Sequence, residues 1–557
     1  MLERLLGLET EYAIRYSDPG GPRPSHRLIF EAISASVAAR VATVPGQRGS
    51  SHGQRFVENG GALYYEFVPS APEGGVVEAS TPECRGPSQL LLYQKAQERL
   101  LLDALPDAQR KLAAVGFTGS LGLVKNCRDA EGHIYGAQEN YEVELASGPR
   151  LWVYRLGTSL LIPLILALSL LTLVLAVALG LTFGLTLIVM AAGGRRLRER
   201  LAAGQGELPV ANAFLRLFNG LAIVVTSPGA WLYSLLFRAT CCRRIRRDAL
   251  AFLLSRPLLS GAGSYEPRTG DFALSEKGLG IRKLVRTGVM PADRSVFDIG
   301  HLIKALYAPT YLQLRPLFGL FARRQRLQLG LSDSNLAQSA EYLKVATTAL
   351  VFDMAEAGAL RRLPRLRRPL IALRVLNADP TLRAEVPCTD GVSRSGLALQ
   401  RLYLDAAREF VASSPTCPLE AHELLRRWAE VLDALEDEPA RLFGRVDWVS
   451  KRALIEQAGA GLDPAAKKKI DLKYHELGDG YFAALEDAGL APTLVSPDEV
   501  TAAVHTPPQD SPARRRSQLL RSFAAAGVAA RVSWDRVEVP AGRLRKQVIR
   551  LDDYRRR

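Results

Sequence analysis

Five glutamates fall in or beside strand-like segments near the amino terminus: Glu9 and Glu11 in GLETEYAI, Glu66 in ALYYEF, and Glu78 and Glu83 in VEASTPEC. Successive side chains of a strand point to opposite faces, so Glu9 and Glu11 share a face and can both point into one cavity. Several carboxylates on one sheet face repel each other unless cations neutralise them. Hard oxygen ligands of this kind suit Mg2+ bridging to phosphate oxygens. A row of solvated glutamates on an exposed sheet face accounts for the same pattern, and residue types alone leave both readings open.

Other motifs narrow the chemistry by their absence. The chain has no GxxxxGK[ST] phosphate loop, no complete GxGxxG fingerprint and no HExxH. GSSHG at Gly49–Gly53 fits GxSxG, but no apolar strand leads into it and no apolar helix follows, so it reads as a polar loop. The seven histidines show no metal-ligand spacing, and each takes a structural role by default.

The elements that must carry the glutamates follow from periodicity and turn chemistry. Leu2–Arg15 and Ala62–Val68 read as strands, Leu28–Val44 and Ser88–Val115 as helices. Phe117–Val124 and Tyr141–Leu145 read as two strands around the turn Asp129-Ala130-Glu131-Gly132. Further on, Ser339–Leu360, Leu397–Ala429 and Ala440–Gln457 read as helices, with Arg361–Arg368 as a basic linker. A smaller C-terminal unit starts near Ala483, and Arg514-Arg515-Arg516 enters a helix after the turn at Pro507-Pro508.

Composition sets the wider frame. The 557 residues carry 48% apolar and 23% charged side chains, enough to bury a sizeable core, which excludes disordered and collagen-like chains. Six scattered cysteines form neither a disulfide framework nor a zinc clip and suit a reducing cytosolic setting. The net charge of +15 steers acidic partners. No aromatic-basic recognition motif accompanies the arginines, which favours an acidic protein over nucleic acid.

One stretch departs from the average. From Leu156 to Gly194 there is no charged residue, and a second uncharged run spans Leu217–Phe237 with Pro228-Gly229 inside it. About 20 apolar residues cross the hydrocarbon core, so these runs read as inserted membrane helices. Two arrangements return the chain to its starting side: each run crosses once, or the first folds as a tight hairpin and the second is re-entrant or interfacial. Arg195-Arg196-Leu197-Arg198 tips the balance to the hairpin, because positive residues stay on the cytoplasmic side, and Arg155 and Arg243–Arg247 hold the outer flanks there. Arg195–Arg200 and Arg243–Arg247 are expected at anionic lipid headgroups. The chain is thus expected in the cell inner membrane, multi-pass, with its catalytic part facing the cytoplasm.

The strand glutamates also lie in strings that resemble the Pup ligase and depupylase (proteasome accessory factor) family, glutamine-synthetase-like enzymes that attach or remove the small ubiquitin-like protein Pup. These are GLETEYAI at Gly7–Ile14, ALYYE with TPEC within Ala62–Cys84, VKNCRDAEGHIYGAQENY at Val124–Tyr141, SGAG at Ser260–Gly263 and SDSNL at Ser332–Leu336. LKVATTALV at Leu343–Val351, VDWVSK at Val446–Lys451, DLKYHE at Asp471–Glu476 and TPPQDSPARRR at Thr506–Arg516 complete the series in order.

The resemblance implies an α+β fold: a glutamine-synthetase-like antiparallel sheet cradle packed with helices, a small C-terminal domain and, here, inserted membrane helices. The catalytic domain is expected over 1–150 and 248–482, the transmembrane insertion over 151–247 and the C-terminal domain over 483–557. The resemblance also implies roles: Glu9, Tyr64 and Glu78 for Mg2+, Thr81 and Trp448 for ATP, and Glu66 as the catalytic carboxylate. Mg-ATP would activate the C-terminal Glu of a small acidic Pup-like modifier as an acyl phosphate, for transfer to a protein lysine. Depupylase or deamidase chemistry, or a membrane-bound nucleotide-binding pseudoenzyme, are the alternatives. The shorter Glu9-to-Tyr64 connection resembles the ligase arrangement.

Departures from the family pattern bear on the chemistry. Glu66 stands where the family has aspartate, a displacement of about 1 Å that catalysis feels. Ala62 replaces an arginine, and Gln138 stands where histidine is usual. The stretch Arg282–Arg326 has no clear counterpart of the segment that precedes SDSN in the family.

Overall fold

The computed structural model describes residues 1–47, 53–67, 74–192, 209–288, 294–311, 314–459, 461–541 and 545–551. The expected loop residues Gly49–His52 and the cluster Arg195–Arg200 lie outside them. The chain divides into two compact units, one of Met1–Glu142, Arg244–Ile281 and Gln328–Arg557, the other of Val143–Arg243 and Arg282–Leu327. This division differs from the four consecutive segments expected. The long apolar helices group with Arg282–Leu327, and the C-terminal segment belongs to the first unit.

In the first unit a 13-residue strand, β1 (Leu5–Ser17), organises the sheet. Its alternation of buried Leu8, Thr10 and Tyr12 with half-buried Glu9 and Glu11 gives it one packed and one open face. The following strands are β2 (Thr43–Pro45), β3 (Arg55–Val57), β4 (Ala62–Phe67), β5 (Gly75–Ser80), β6 (Cys84–Arg85), β7 (Ser120–Val124) and β8 (Gln138–Glu144). An antiparallel ladder runs β8-β1-β5-β4-β3-β2. The strands β7 and β8 do not form the expected hairpin with each other. Each instead pairs with its own half of β1, β8 along Leu6–Glu9 and β7 along Ala13–Ser17, because β1 is long enough to template both.

Helices α1 (His26–Ala38) and α2 (Pro87–Ala113) pack on each other and cover one side of this sheet. Phe30 of α1 meets Tyr65 of β4 at 5.7 Å between ring centroids, so the face bearing Tyr65 is the helix-covered one. The opposite face carries Glu9, Glu11 and Glu78. The C-terminal strands Arg531–Val532, Arg536–Pro540 and Lys546–Arg550 pack with the helix Pro512–Ala525 against Val44, Phe56 and Ala62 in one apolar cluster. The expected helix Leu397–Ala429 is two helices, Gly396–Ala412 and Leu419–Asp437, because Pro418 and the residues before it break the run.

In the second unit the first apolar run is one helix, α3 (Pro149–Ala192), not a tight hairpin. Its return partner α4 (Pro209–Thr240) is antiparallel, with Tyr154 bonded to Tyr233 at 2.8 Å and Phe183 against Phe214. A lone Pro163 gives no turn, and the rest of the run is strong helix former, so the 44 residues continue for about 66 Å. Close approach is made at small residues: a Cβ on Gly157 would lie 2.7 Å from Leu236. Two helices, Pro149–Thr186 and Arg216–Thr240, are long and apolar enough to cross a membrane by length and composition. This unit also contains a parallel strand pair, Lys283–Val285 with Ser295–Asp298, so the fold is mixed α/β with antiparallel and parallel pairings and many helices.

Candidate active site

Register puts the glutamates together. Glu9 stands opposite Ser80, Glu11 opposite Glu78, and Glu78 in turn opposite Tyr64. Glu66 and Ala62 lie two residues either side of Tyr64 and share its face. Four carboxylates, Glu9, Glu11, Glu66 and Glu78, thus occupy one face of three adjacent strands. Glu83 does not join them; its carboxylate receives the Arg516 guanidinium.

The electrostatics follow from the crowding. Glu78 is buried, and burial together with Glu11, Glu9 and Glu66 holds its carboxyl well above the usual range. The Tyr64 hydroxyl donates to Glu78, and burial beside Glu78 and Glu9 drives its own proton affinity up. Glu11 accepts from the backbone N–H of Gly136 at 3.0 Å. Glu66 is exposed at the open end of β4, where an incoming group can reach it.

Three amides lie around Glu9, and of these only Gln138 stands out in the sequence. Asn140 donates to Oε1 at 3.2 Å, and Gln328 donates to Oε2 at 3.0 Å and also to the Gln138 side-chain oxygen. Both oxygens of Glu9 are therefore oriented by neutral donors. The alternation in AQENY, with Gln138 and Asn140 two apart, is the signal that places two of them on one face. Nothing local marks Gln328, which arrives from the strand Arg324–Leu329.

The other predicted site residues are engaged with backbone. Thr81 is buried, its hydroxyl accepting from Leu8 N and its own N–H donating to Leu8 O, both at 3.0 Å. That hydroxyl borders the glutamate face, 3.9 Å from where a Cβ would stand on Gly7. Trp448 is buried at the start of the helix Asp447–Gln457, and its indole N–H donates to Leu258 O at 2.9 Å. Its Cα would be 3.0 Å from a Cβ on Gly263, whose φ of +74° also calls for glycine. Ala62 is buried in the cluster with Leu520 and Val532, so an apolar contact occupies the position of the family arginine.

The C-terminal motifs converge on a buried polar hub. Asp333 of SDSNL accepts from the N–H groups of Ala262, Glu276 and Lys277 at 2.8 to 3.0 Å. Asp447 of VDWVSK accepts from Asn335 and from the N–H groups of Leu336 and Ala337. Lys451 bridges Asp471 at 2.6 Å, and Lys125 bridges Glu98 and Glu341 at 2.5 and 3.0 Å, all buried. Lys451 and Lys468 hold Asp471 down at about 2, whereas burial pushes Glu276 up to about 7. His475 is buried against Tyr474, and burial beside Lys451 keeps its ring neutral. Arg516 is equally buried, spanning Gly60 O, Glu83 and the rings of Phe56 and Trp534, so it ties the C-terminal segment to the sheet rather than meeting a partner. Asp129, Glu131 and His133 gather their ligand-type atoms within 4.8 Å, but Asp129 already caps the turn backbone at Glu131 and His133.

Comparison with known proteins identifies the family. The family model described as Pup-ligase protein matches residues 4–538. The Pup–protein ligase of Paenarthrobacter aurescens (strain TC1) is 26% identical over 545 residues, covering 96% of this chain and 92% of the relative. That of Mycolicibacterium smegmatis is 27% identical over 544 residues, covering 96% and 93%. Among solved structures, the complex of prokaryotic ubiquitin-like protein Pup with its ligase PafA shares the fold with a TM-score of 0.67 at 22% identity, over 99% of this chain and 89% of that one. PafA in complex with ADP has a TM-score of 0.61 at 22% identity, over 91% and 87%. The match over nearly the whole chain defines an ATP-dependent ligase class. The chain belongs to the Pup-ligase protein family.

Proposed function

We propose that this protein uses Mg-ATP to activate the C-terminal Glu of a small acidic Pup-like modifier and joins it to a protein lysine. The observation that carries the reading is the gathering of Glu9, Glu11, Glu66 and Glu78 on one open sheet face in a chain of this family. The donor set fits Mg2+: two carboxylates and a tyrosine oxygen are hard ligands, and the raised proton affinity of Glu78 marks negative charge that a divalent cation offsets. Glu9, Tyr64 and Glu78 would hold the metal, which when bound neutralises phosphate charge. Thr81 borders the nucleotide's place beside Gly7, and Trp448 acts from behind by fixing the SGAG loop through Gly263.

Phosphoryl transfer to the modifier carboxylate gives an acyl phosphate and ADP. The lysine amine then attacks the acyl carbon, and phosphate leaves. Glu66, exposed beside the other carboxylates, takes the proton from the lysine ammonium so that nitrogen can act as nucleophile. The longer reach of glutamate suits a base placed at the open end of β4.

The helix pair α3/α4 supports an inner-membrane anchor, with headgroup arginines at its base and the ligase unit on the cytoplasmic side. With each apolar run crossing once, Arg150, Arg155, Arg238 and Arg243–Arg247 outweigh the loop cluster Arg195–Arg200, which keeps the base inside.

The experiment is ADP and phosphate release by the detergent-purified protein with Mg-ATP and a Pup-like peptide ending in Glu. Peptide-dependent release in the wild type, lost in Glu9→Ala and Glu66→Ala, is expected. Peptide-independent release, or none while ADP still binds, would sink the ligase reading.

A further inference from the structure

The second unit joins the apolar helix pair to a separate stretch, Arg282–Leu327. That stretch is fastened to the pair at two levels. Near one end, Arg155 Nε donates to Phe321 O at 3.1 Å, and Leu145, just before the first helix, donates its N–H to Arg323 O at 2.8 Å. Further along, Tyr307 Oη donates to Thr226 O at 2.5 Å. Gly229 is the notch that admits it: a Cβ there would lie 2.2 Å from Tyr307 Oη and 2.5 Å from Ile165 Cδ1. From Arg155 to Ile165 the helix rises about 15 Å, so the stretch climbs that far along α3 and returns.

Of its two short helices, Gly300–Leu306 buries one apolar side and exposes Lys304 on the other, whereas Arg315–Gly319 is apolar on both sides. Gly300–Leu306 buries Leu302, Ile303 and Leu306. Arg315–Gly319 buries Leu317 but leaves Leu314 and Phe318 exposed by 55% and 66%. Exposed aromatics stand on the helix pair as well: Trp152 is 71% and Trp231 53% exposed, each within a turn of the Tyr154–Tyr233 contact. The Arg155 guanidinium lies over the Trp152 ring at 5.8 Å, and Arg323 and Arg324 are exposed. Indole rings beside arginines mark the headgroup level of a membrane protein, and apolar side chains just beyond it enter the acyl boundary.

We infer that Gly300–Leu306 and Arg315–Gly319 form a monotopic wedge beside the helix pair, with Leu314 and Phe318 in the acyl boundary of an anionic bilayer and Arg315, Arg323 and Arg324 at its headgroups. The occupant of this surface is lipid rather than protein because the surface continues the exposed apolar face of α3 and α4 and is rimmed by positive charge. The inference rests on the membrane anchor proposed above and adds a third embedded element. It also gives Arg282–Leu327 a role tied to the helix pair.

The test uses the full chain with Phe318→Cys in a Cys417→Ser background, labelled with an NBD fluorophore. Cys84, Cys127, Cys241, Cys242 and Cys388 are buried. The labelled protein is reconstituted into phosphatidylglycerol–phosphatidylcholine vesicles. Nitroxide lipids with a shallow acyl label are expected to cut its emission about threefold, and iodide in the buffer to leave it unchanged. Leu314→Asp is expected to restore iodide quenching, with carbonate-resistant pelleting retained. Iodide quenching without nitroxide quenching, in protein that still pellets, overturns the wedge and leaves the anchor standing. Release of the unlabelled wild type by carbonate sinks both. Protection from iodide that depends on protein concentration and not on lipid shows a second copy on the face and overturns the proposal.

Discussion

At the scale of single residues the site works by controlled crowding. Glu78 has its folded-state proton affinity raised by burial and by Glu11, Glu9 and Glu66. Such a group stabilises the metal-free fold below its unfolded pKa, near 4.5, and that stability is lost as pH rises through the elevated folded value. Metal-free protein is therefore expected to melt lower at pH 8 than at pH 5.5, and Glu78→Gln to recover about 2–4 °C at pH 8, read by scanning calorimetry in EDTA. Added Mg2+ should raise the wild-type Tm at pH 8 and leave Glu78→Gln unmoved. The amides around Glu9 make a second expectation. Gln328 orients Oε2 while Asn140 orients Oε1, and loss of a group that orients a metal ligand typically costs tenfold or more in metal affinity. Gln328→Leu should raise the Mg2+ concentration for half-maximal ADP release by about 10-fold, with Mn2+ binding by electron paramagnetic resonance weakened in parallel. Unchanged Mn2+ binding would show that Gln328 only packs.

At the scale of elements, two devices hold the glutamate face in place. The strand β1 templates β5, β7 and β8 at once, so its register fixes which carboxylates meet. Behind the C-terminal motifs, buried ion pairs lock loops to helices. Breaking such a pair by removing one partner leaves an uncompensated charge and costs about 3–5 kcal/mol. Lys451→Met is expected to destabilise in urea unfolding by less than that amount, because Asp471 keeps Lys468 as a partner. Removing the whole cluster in Lys451→Met with Lys468→Met and Asp471→Leu should recover part of it. A full loss in the triple variant would show that the cost comes from volume rather than charge.

At the scale of the whole molecule, the chain is a ligase-family fold with a pair of long apolar helices. If α3 and α4 anchor it, the full chain pellets with membranes after carbonate washing. Replacing 149–240 by a short flexible linker should release it to detergent-free buffer only when Leu314 and Phe318 are also made polar, because both would otherwise stay exposed. Fractionation of the three proteins separates these outcomes. Release by the linker alone would show that the insertion is the sole membrane contact.

Much of this was legible without coordinates. Alternation put Glu9 and Glu11 on one face, charge-free runs marked α3 and α4, and ordered strings carried the family, because each is a short-range pattern of side-chain type along the chain. Other features lay beyond that range. Partner choice by β7 and β8 depends on the length of β1, and the amide Gln328 reaches Glu9 from 319 residues away. Arg516, one of a basic triplet at a helix start, is buried between Phe56 and Trp534. The first apolar run resolved as a single helix because α4 supplies its packing partner. The sequence by itself determined which groups are available and which segments avoid water. Only the tertiary structure decided which groups meet, since strand register and burial arise from contacts between residues far apart along the chain.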